Sequence, residues 1–298
     1  MTLYRLEEER IISFSEVEGV KKVEQGIRYG PYQMVKPFSF GLVRLVFTFT
    51  NPLLVLREAR KTITVSHWGS VSVDEYFDME NIGAKVKGEL SRIDIGMKKK
   101  GKNCLQDISA QYPWYIQGMY VTDFIGNIST TNALRTEETV EFNYGPRYPV
   151  CGGWRVDWNQ GYSMPTKYNL RRGEADSNQF NLEIDFLYNY DILLAENYTV
   201  EIILPYGASD FEIDLPFDIE STQISHSIST LDFFAKPKLV LKTKDVFSYL
   251  HSKPLKLSYK FDETTGLLIK PLATASLIFV FLLLTIGAAR VKFSFMQN

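Results

Sequence analysis

Few residues in this 298-residue chain have the types and spacing that chemistry needs. His67 lies beside Trp68 and can serve as an acid or base, yet no nucleophile or orienting partner accompanies it. A structural histidine at a strand end fits better. His67, His226 and His251 are scattered, and two cysteines alone cannot complete a zinc site, so no metal and no other cofactor is expected. Cys104 and Cys151 read as two separate buried thiols, with a disulfide as the alternative in an oxidising compartment. No HExxH, GxSxG or Walker-type loop occurs, and Gly152-Gly153 is too small a signal for a phosphate loop. Acidic residues are numerous enough for a glycosidase pair, but Glu183, Asp185, Glu212 and Asp214 all fall on the polar phase of alternating strands. That pattern describes a solvated sheet face. The basic run Met97–Asn103 reads as a solvated hairpin tip. Two N-x-S/T triplets offer modification sites: Asn127, in a turn after Gly126, and Asn197, at the entry to a strand. No active site emerges.

The elements around these residues are clearer. Pro271–Ala289 is nineteen residues without an ionisable group, flanked by Lys270, Arg290 and Lys292. As a helix it is about 28 Å long, close to the roughly 30 Å of a bilayer core. A lone apolar run satisfies its backbone in lipid only as a helix. We place a transmembrane helix at 268–290 and a short tail at 291–298, with the bilayer as one partner. Within the helix Thr274, Ala275, Ser276, Gly287 and Ala288 are small enough to admit a neighbouring helix closely.

Before the span, period-two alternation dominates. It marks strands near Leu45–Phe49, Leu53–Leu56, Ile63–Val73, Ala84–Leu90, Tyr115–Thr122, Thr139–Tyr144, Leu182–Tyr188, Val200–Leu204, Phe211–Leu215, Leu239–Leu241 and Leu255–Tyr259. Glu7–Arg10 reads as a short helix start. Pro205–Ala208 is a turn, either of a hairpin or at the corner of a sandwich. Pro146, Pro149, Gly152, Gly153 and Trp154 form the least generic segment. Fixed prolines, permissive glycines and a large apolar face suit a sharp corner between sheets or domains. The fold class is mainly β, a β-sandwich-like domain over 61–265 plus one C-terminal helix. Net charge is −2 with both signs interspersed, which gives no footing for nucleic acid.

Orientation stays open on physical grounds. Met1–Phe14 has charges where a secretory signal needs an apolar core, so the chain reads either as tail-anchored with its bulk in the cytosol or as truncated before a signal. Lys253, Lys256, Lys260 and Lys270 before the span balance Arg290 and Lys292 after it.

Several segments together are more specific. Ser66-His67-Trp68-Gly69, Gly126-Asn127-Ile128-Ser129-Thr130, Pro146-Arg147-Tyr148-Pro149 with Gly152-Gly153-Trp154, Gly161-Tyr162, Ile203-Leu204-Pro205 and Arg290-Val291-Lys292-Phe293-Ser294 occur in one order. From about Tyr29 onward that order resembles the ribophorin I family, a large subunit of the endoplasmic reticulum oligosaccharyltransferase complex. The resemblance implies a type I protein of the endoplasmic reticulum membrane, its bulk in the lumen and its tail cytosolic. Residues 1–60 would be the remnant of a preceding β-rich lumenal domain. It implies a non-catalytic role in moving a dolichol-linked oligosaccharide onto Asn of N-x-S/T. Catalytic and small membrane subunits of the complex and nascent polypeptides would be the partners, and Asn127 the better glycan site. A membrane-anchored lumenal hydrolase and a tail-anchored cytosolic adaptor are the competing readings.

Overall fold

The computed structural model describes residues 2–4, 10–17, 19–23, 26–32, 34, 36–48, 51–86, 103–173, 178–190, 193–215, 219–229, 232, 234–247 and 254–290. The chain divides into two compact units, one of residues 1–53, 82–105 and 151–153, the other of residues 54–81, 106–150 and 154–298. The division expected at residue 60 falls within a continuous strand, Leu54–Ser66.

The first unit is built from short strands: β1 (Thr2–Tyr4), β2 (Arg10–Phe14), β3 (Val20–Val23), β4 (Gly26–Tyr29) and β5 (Leu45–Thr48). β1, β4 and β3 form one antiparallel sheet, and β2 pairs with β5. Ile27 and Tyr29 are buried while Arg28 between them is exposed, the expected alternation of a one-sided sheet. Of the expected helix start, Arg10 instead opens β2, and the rest lies outside the described residues. Ala84–Val86 is irregular rather than strand, and the remainder of that expected strand also lies outside them, as do His251 and all but Asn103 of the basic run. Cys104 and Cys151 are joined in a disulfide, so the expectation of two separate thiols is corrected. The two are 47 residues apart, and spacing alone carries no signal that the fold brings them together.

The second unit runs β6 (Leu54–Ser66), β7 (Ser70–Asn81), β8 (Ile108–Pro113), β9 (Gln117–Thr122), β10 (Thr131–Arg135), β11 (Thr139–Tyr144), β12 (Arg155–Pro165), α1 (Thr166–Asn169), β13 (Leu170–Arg172), β14 (Gln179–Asp185), β15 (Leu194–Ile203), β16 (Ser209–Asp214), β17 (Ser221–Ser227), β18 (Lys236–Phe247), β19 (Pro254–Lys260) and α2 (Glu263–Arg290). Seven strands form the main sheet in the order β17-β18-β15-β6-β7-β12-β9. A four-stranded sheet, β13-β14-β19-β16, and a three-stranded one, β10-β11-β8, complete the unit. The pairing of β6 with β15 is parallel, and the other described pairings are antiparallel.

Alternation explains the sandwich. Ile63, Val65, Val71, Val73, Val200, Ile202, Leu239 and Leu241 of the main sheet are buried, as are Leu182, Ile184, Leu255, Leu257 and Tyr259 of the four-stranded sheet. Each fully buried aliphatic of this kind stabilises the fold by about 1.5–3 kcal/mol. The Pro205–Ala208 turn joins β15 to β16, which belong to different sheets, so it is a corner and not a hairpin. Phe186 and Tyr188 are buried just beyond the end of β14, and Leu215 lies past β16. β12, one of the longest strands, had no strand expectation, because Gly161 and the polar residues of its exposed phase dilute its pattern.

α2 begins eight residues before the apolar run, at Glu263. The Asp262 carboxylate accepts from the Thr264 amide at 3.1 Å and the Thr264 hydroxyl at 2.8 Å, which is an N-cap. Pro271 sits within the helix. Gly266–Arg290 is long and apolar enough to cross a membrane, and none of its apolar window is buried among the described residues.

Candidate functional site

Three places in the second unit gather polar or aromatic side chains. The innermost is a row across the main sheet. Lys61 on β6 faces Glu75 on β7, which faces Gln160 on β12. All three occupy the inward phase of strands whose other inward residues are mostly apolar, so folding buries them together. Lys61 Nζ donates to the backbone oxygens of Asp185 at 2.9 Å and Leu187 at 2.7 Å and lies 3.6 Å from Glu75 Oε1. Gln160 Nε2 donates to Glu75 Oε2 at 2.7 Å and to the Tyr112 hydroxyl at 2.8 Å. Gln160 Oε1 accepts from Trp158 Nε1 at 3.2 Å and from the Tyr190 hydroxyl, which lies 3.1 Å from that of Tyr144. Burial pushes the Glu75 carboxyl up, and the Lys61 charge and the Gln160 N–H pull it back. Burial likewise raises Tyr112, Tyr144 and Tyr190. The Lys61 and Glu75 side chains are 1% and 0% exposed, so no substrate can meet them in this conformation. The row is a structural polar network tying strands together.

The second place is a half-open groove of about 290 Å³. Tyr115 and Tyr168 stack in it at 4.3 Å and 19°, with Trp114 edge-on to Tyr168 at 5.6 Å and Lys167 Nζ 4.7 Å above the Tyr168 ring. Asn169, Glu183 and Asp185 line it alongside Tyr115, Tyr162 and Tyr168. Asn169 Nδ2 donates to the Glu183 backbone oxygen at 3.1 Å, whereas its Oδ1 is buried and meets no donor among the described residues. Ring faces with carboxylate and amide acceptors suit a donor-rich guest. α1 and β14 bring these residues together across the sandwich. Their spacing in sequence carries no hint of it, although Trp114-Tyr115 and Tyr168-Asn169 are visible as pairs.

The third is the junction with α2. His67 is buried in the β6–β7 turn, its Nε2 2.9 Å from the Tyr259 hydroxyl and its Nδ1 3.6 Å from Glu263 Oε1. Glu263 also pairs with Arg172. Burial lowers the His67 pKa and the Glu263 carboxylate partly offsets this. Among the described residues no group of three or more His, Cys, Asp or Glu side chains gathers to hold a metal.

The sequence-nominated residues lie as follows. Asn127 is exposed, in a turn where Gly126 has φ +142° and Asp123 Oδ1 accepts the Gly126 amide at 3.0 Å. Arg147 clamps Asp123 through two bonds of 2.5 and 2.8 Å and holds its carboxyl at about 2. Asn197 is exposed too, but on β15 between β18 and β6, where its Nδ2 donates to the Arg57 oxygen at 3.1 Å. Pro146 and Pro149 are half-buried and lie between β11 and β12, and Trp154, ahead of β12, packs its ring 6.1 Å from that of Tyr148. Gly152 presses on the backbone of Ala84, where a Cβ would lie 1.9 Å from the carbonyl oxygen. Gly153 has φ +84°. In α2 Thr274, Ala275, Ser276, Gly287 and Ala288 are exposed. At about 3.6 residues per turn they share no single stripe: Ser276 and Gly287 align on one face, and Thr274 and Ala288 on another.

Known proteins place this chain. It is 29% identical over 296 residues to dolichyl-diphosphooligosaccharide–protein glycosyltransferase subunit 1A of Arabidopsis thaliana, covering 99% of this chain and 47% of that protein. It is 26% identical over 283 residues to subunit 1B of Oryza sativa, covering 94% and 59%, and 26% identical over 288 residues to subunit 1 of Caenorhabditis elegans, covering 96% and 48%. The chain thus spans about half the length of the curated relatives it matches. An M1 zinc metallopeptidase from Deinococcus radiodurans superposes on 70% of this chain and 42% of its own at 12% identity, with a TM-score of 0.38, too loosely to bear on function. Residues 1–289 match the Ribophorin I family, and the chain belongs to that family.

Proposed function

We propose that this protein is a non-catalytic subunit of the oligosaccharyltransferase complex of the endoplasmic reticulum. It supports transfer of a dolichol-linked oligosaccharide to Asn of N-x-S/T in nascent chains. The observation that carries this reading is the family match from residue 1 to residue 289, which runs through both units and α2. A single-pass type I placement, with the β-rich body lumenal, is supported by the Cys104–Cys151 disulfide, because such bonds persist in oxidising compartments. The enclosed state of Lys61 and Glu75 supports an accessory role over a hydrolytic one.

In this reading α2 packs against helices of the catalytic and small membrane subunits through its two small-residue faces, Thr274 with Ala288 and Ser276 with Gly287, Ala275 adding to the contact. The Tyr115–Tyr168 groove holds extended acceptor chains near the catalytic centre, so the rate gain comes from local concentration and orientation. Asn127 carries a glycan, and the Pro146–Trp154 segment, with Pro149, Gly152 and Gly153, fixes the corner that leads into β12.

Co-purification in mild detergent tests assembly: the catalytic and small membrane subunits should accompany the chain. Replacing 271–289 with an unrelated apolar helix of equal length should abolish this, and undiminished recovery would refute packing through α2. With assembly intact, Tyr115→Ala/Tyr168→Ala should lower occupancy of some acceptor sites, and unchanged occupancy at all of them would remove the groove from the account.

A further inference from the structure

The Ser66–Gly69 turn has no task in the function proposed above. It joins β6 to β7 at the same sheet edge from which α2 departs. That edge also carries the β15–β16 corner and the β17–β18 connection, since Ile203 pairs with both Thr64 and Lys238, and Ser227 pairs with Lys236. His67 fastens the turn to the start of α2 through Glu263, its ring packed 4.2 Å from Phe261 and edge-on to Phe180 at 4.5 Å. The next residue, Trp68, is left 67% exposed. Further along α2, Lys270 Nζ lies 3.4 Å from Asp232 Oδ1 in the β17–β18 connection, and Lys236 Nζ lies 2.7 Å from Asp232 Oδ2. Phe234 in that connection is 45% exposed and stacks on Tyr206 at 4.8 Å.

Depth follows from helix geometry. Lys270 directly precedes the apolar run, so it marks the border of the hydrocarbon. Glu263 stands about 10 Å above Lys270 at 1.5 Å per residue. The headgroup layer on each side of the core is roughly 5–8 Å thick. The Asp232–Lys270 pair therefore holds Asp232 at headgroup depth, and the His67–Glu263 contact holds the Ser66–Gly69 turn at the outer border of that layer, within reach of the Trp68 side chain. An exposed tryptophan and a Tyr–Phe pair are the side chains that favour this layer, with one polar and one apolar end.

We propose that this edge is a footing on the phospholipid headgroup layer, in which Trp68 and the Tyr206–Phe234 pair lodge while the contacts of Glu263 and Lys270 lock the body to α2. The inference rests on α2 as a membrane span. The footing sets the height and facing of the β-sandwich over the bilayer without any other subunit.

The test uses the full chain in phosphatidylcholine nanodiscs in which part of the lipid carries a nitroxide quencher on its headgroup. Trp68 is one of four tryptophans. Wild-type emission should fall relative to nanodiscs without the nitroxide lipid, and Trp68→Phe should abolish most of that fall. Phe234→Trp in the Trp68→Phe background should restore it. Equal quenching in wild type and Trp68→Phe, or no quenching of either reporter, overturns the footing. Extraction of the chain by alkaline carbonate would instead sink the span itself, so the two failures are told apart.

Discussion

Lys61 and Glu75 show how a buried pair constrains its neighbours. Removing one partner strands the other, so Lys61→Met should cost about 3–5 kcal/mol in urea denaturation. Lys61→Met/Glu75→Leu should cost clearly less than Glu75→Leu and Lys61→Met added together. His67 gives a signed pH effect. Its folded pKa is lowered, so the unfolded chain binds the proton more readily. Stability from this site is full above the unfolded value, about 6.5, and declines as pH falls below it. His67→Phe should flatten that decline in thermal unfolding between pH 7.5 and 5.5. Asp123 behaves in the opposite sense to a raised acid: held at about 2, it loses its contribution only as pH falls from the usual carboxylate range toward that value. Much of this was open to reading. Val71, Val73, Glu75 and Phe77 share one phase, so a carboxylate among inward residues was visible in β7, as was Lys61 before Ile63 and Val65. Counting only acids on the polar phase missed them. The partners of Gln160 were not readable, since they come from two sheets and a loop.

At the level of elements, alternation located β11 residue for residue and most of β14 and β19, because one face of each is buried, and it also found β5, β9 and the last four residues of β15. It failed where glycine or polar residues interrupt the pattern, as in β12 and β17. The first turn of α2, ahead of the span expected at 268–290, carried no expectation, for a different reason. Pro271 and the apolar run drew attention from Asp262-Glu263-Thr264, where a capping carboxylate precedes the first turn. Asp262→Ala should weaken this end by about 1 kcal/mol, seen as faster hydrogen exchange in the first turn of α2 with the apolar turns unaffected. Gly152 carries the tightest backbone approach. Gly152→Ala forces the chain off the Ala84 carbonyl, so thermal stability should drop by more than for alanine at Gly207, where nothing lies within 4 Å of the added methyl.

For the whole molecule, the disulfide and the N-x-S/T triplets bear on compartment. Closing 47 residues stabilises by up to about 4 kcal/mol in the chain-entropy account. Cys104→Ala/Cys151→Ala should lose a comparable amount, and dithiothreitol should reproduce it in the wild type. Asn127→Gln should remove a glycosidase-sensitive mobility shift. A shift that persists there and disappears with Asn197→Gln would assign the glycan to β15. The parallel pairing of β6 with β15 has a further consequence, one of timing. β6 ends at Ser66 and its parallel neighbour does not begin until Leu194. At a synthesis rate of about 5–20 residues per second, the interval is on the order of ten seconds. Throughout it the newborn ribbon of β6 and β7 presents an uncovered row of amides and carbonyls, a template for wrong liaisons. A polypeptide wired this way calls for a guardian during synthesis until its first two thirds have emerged.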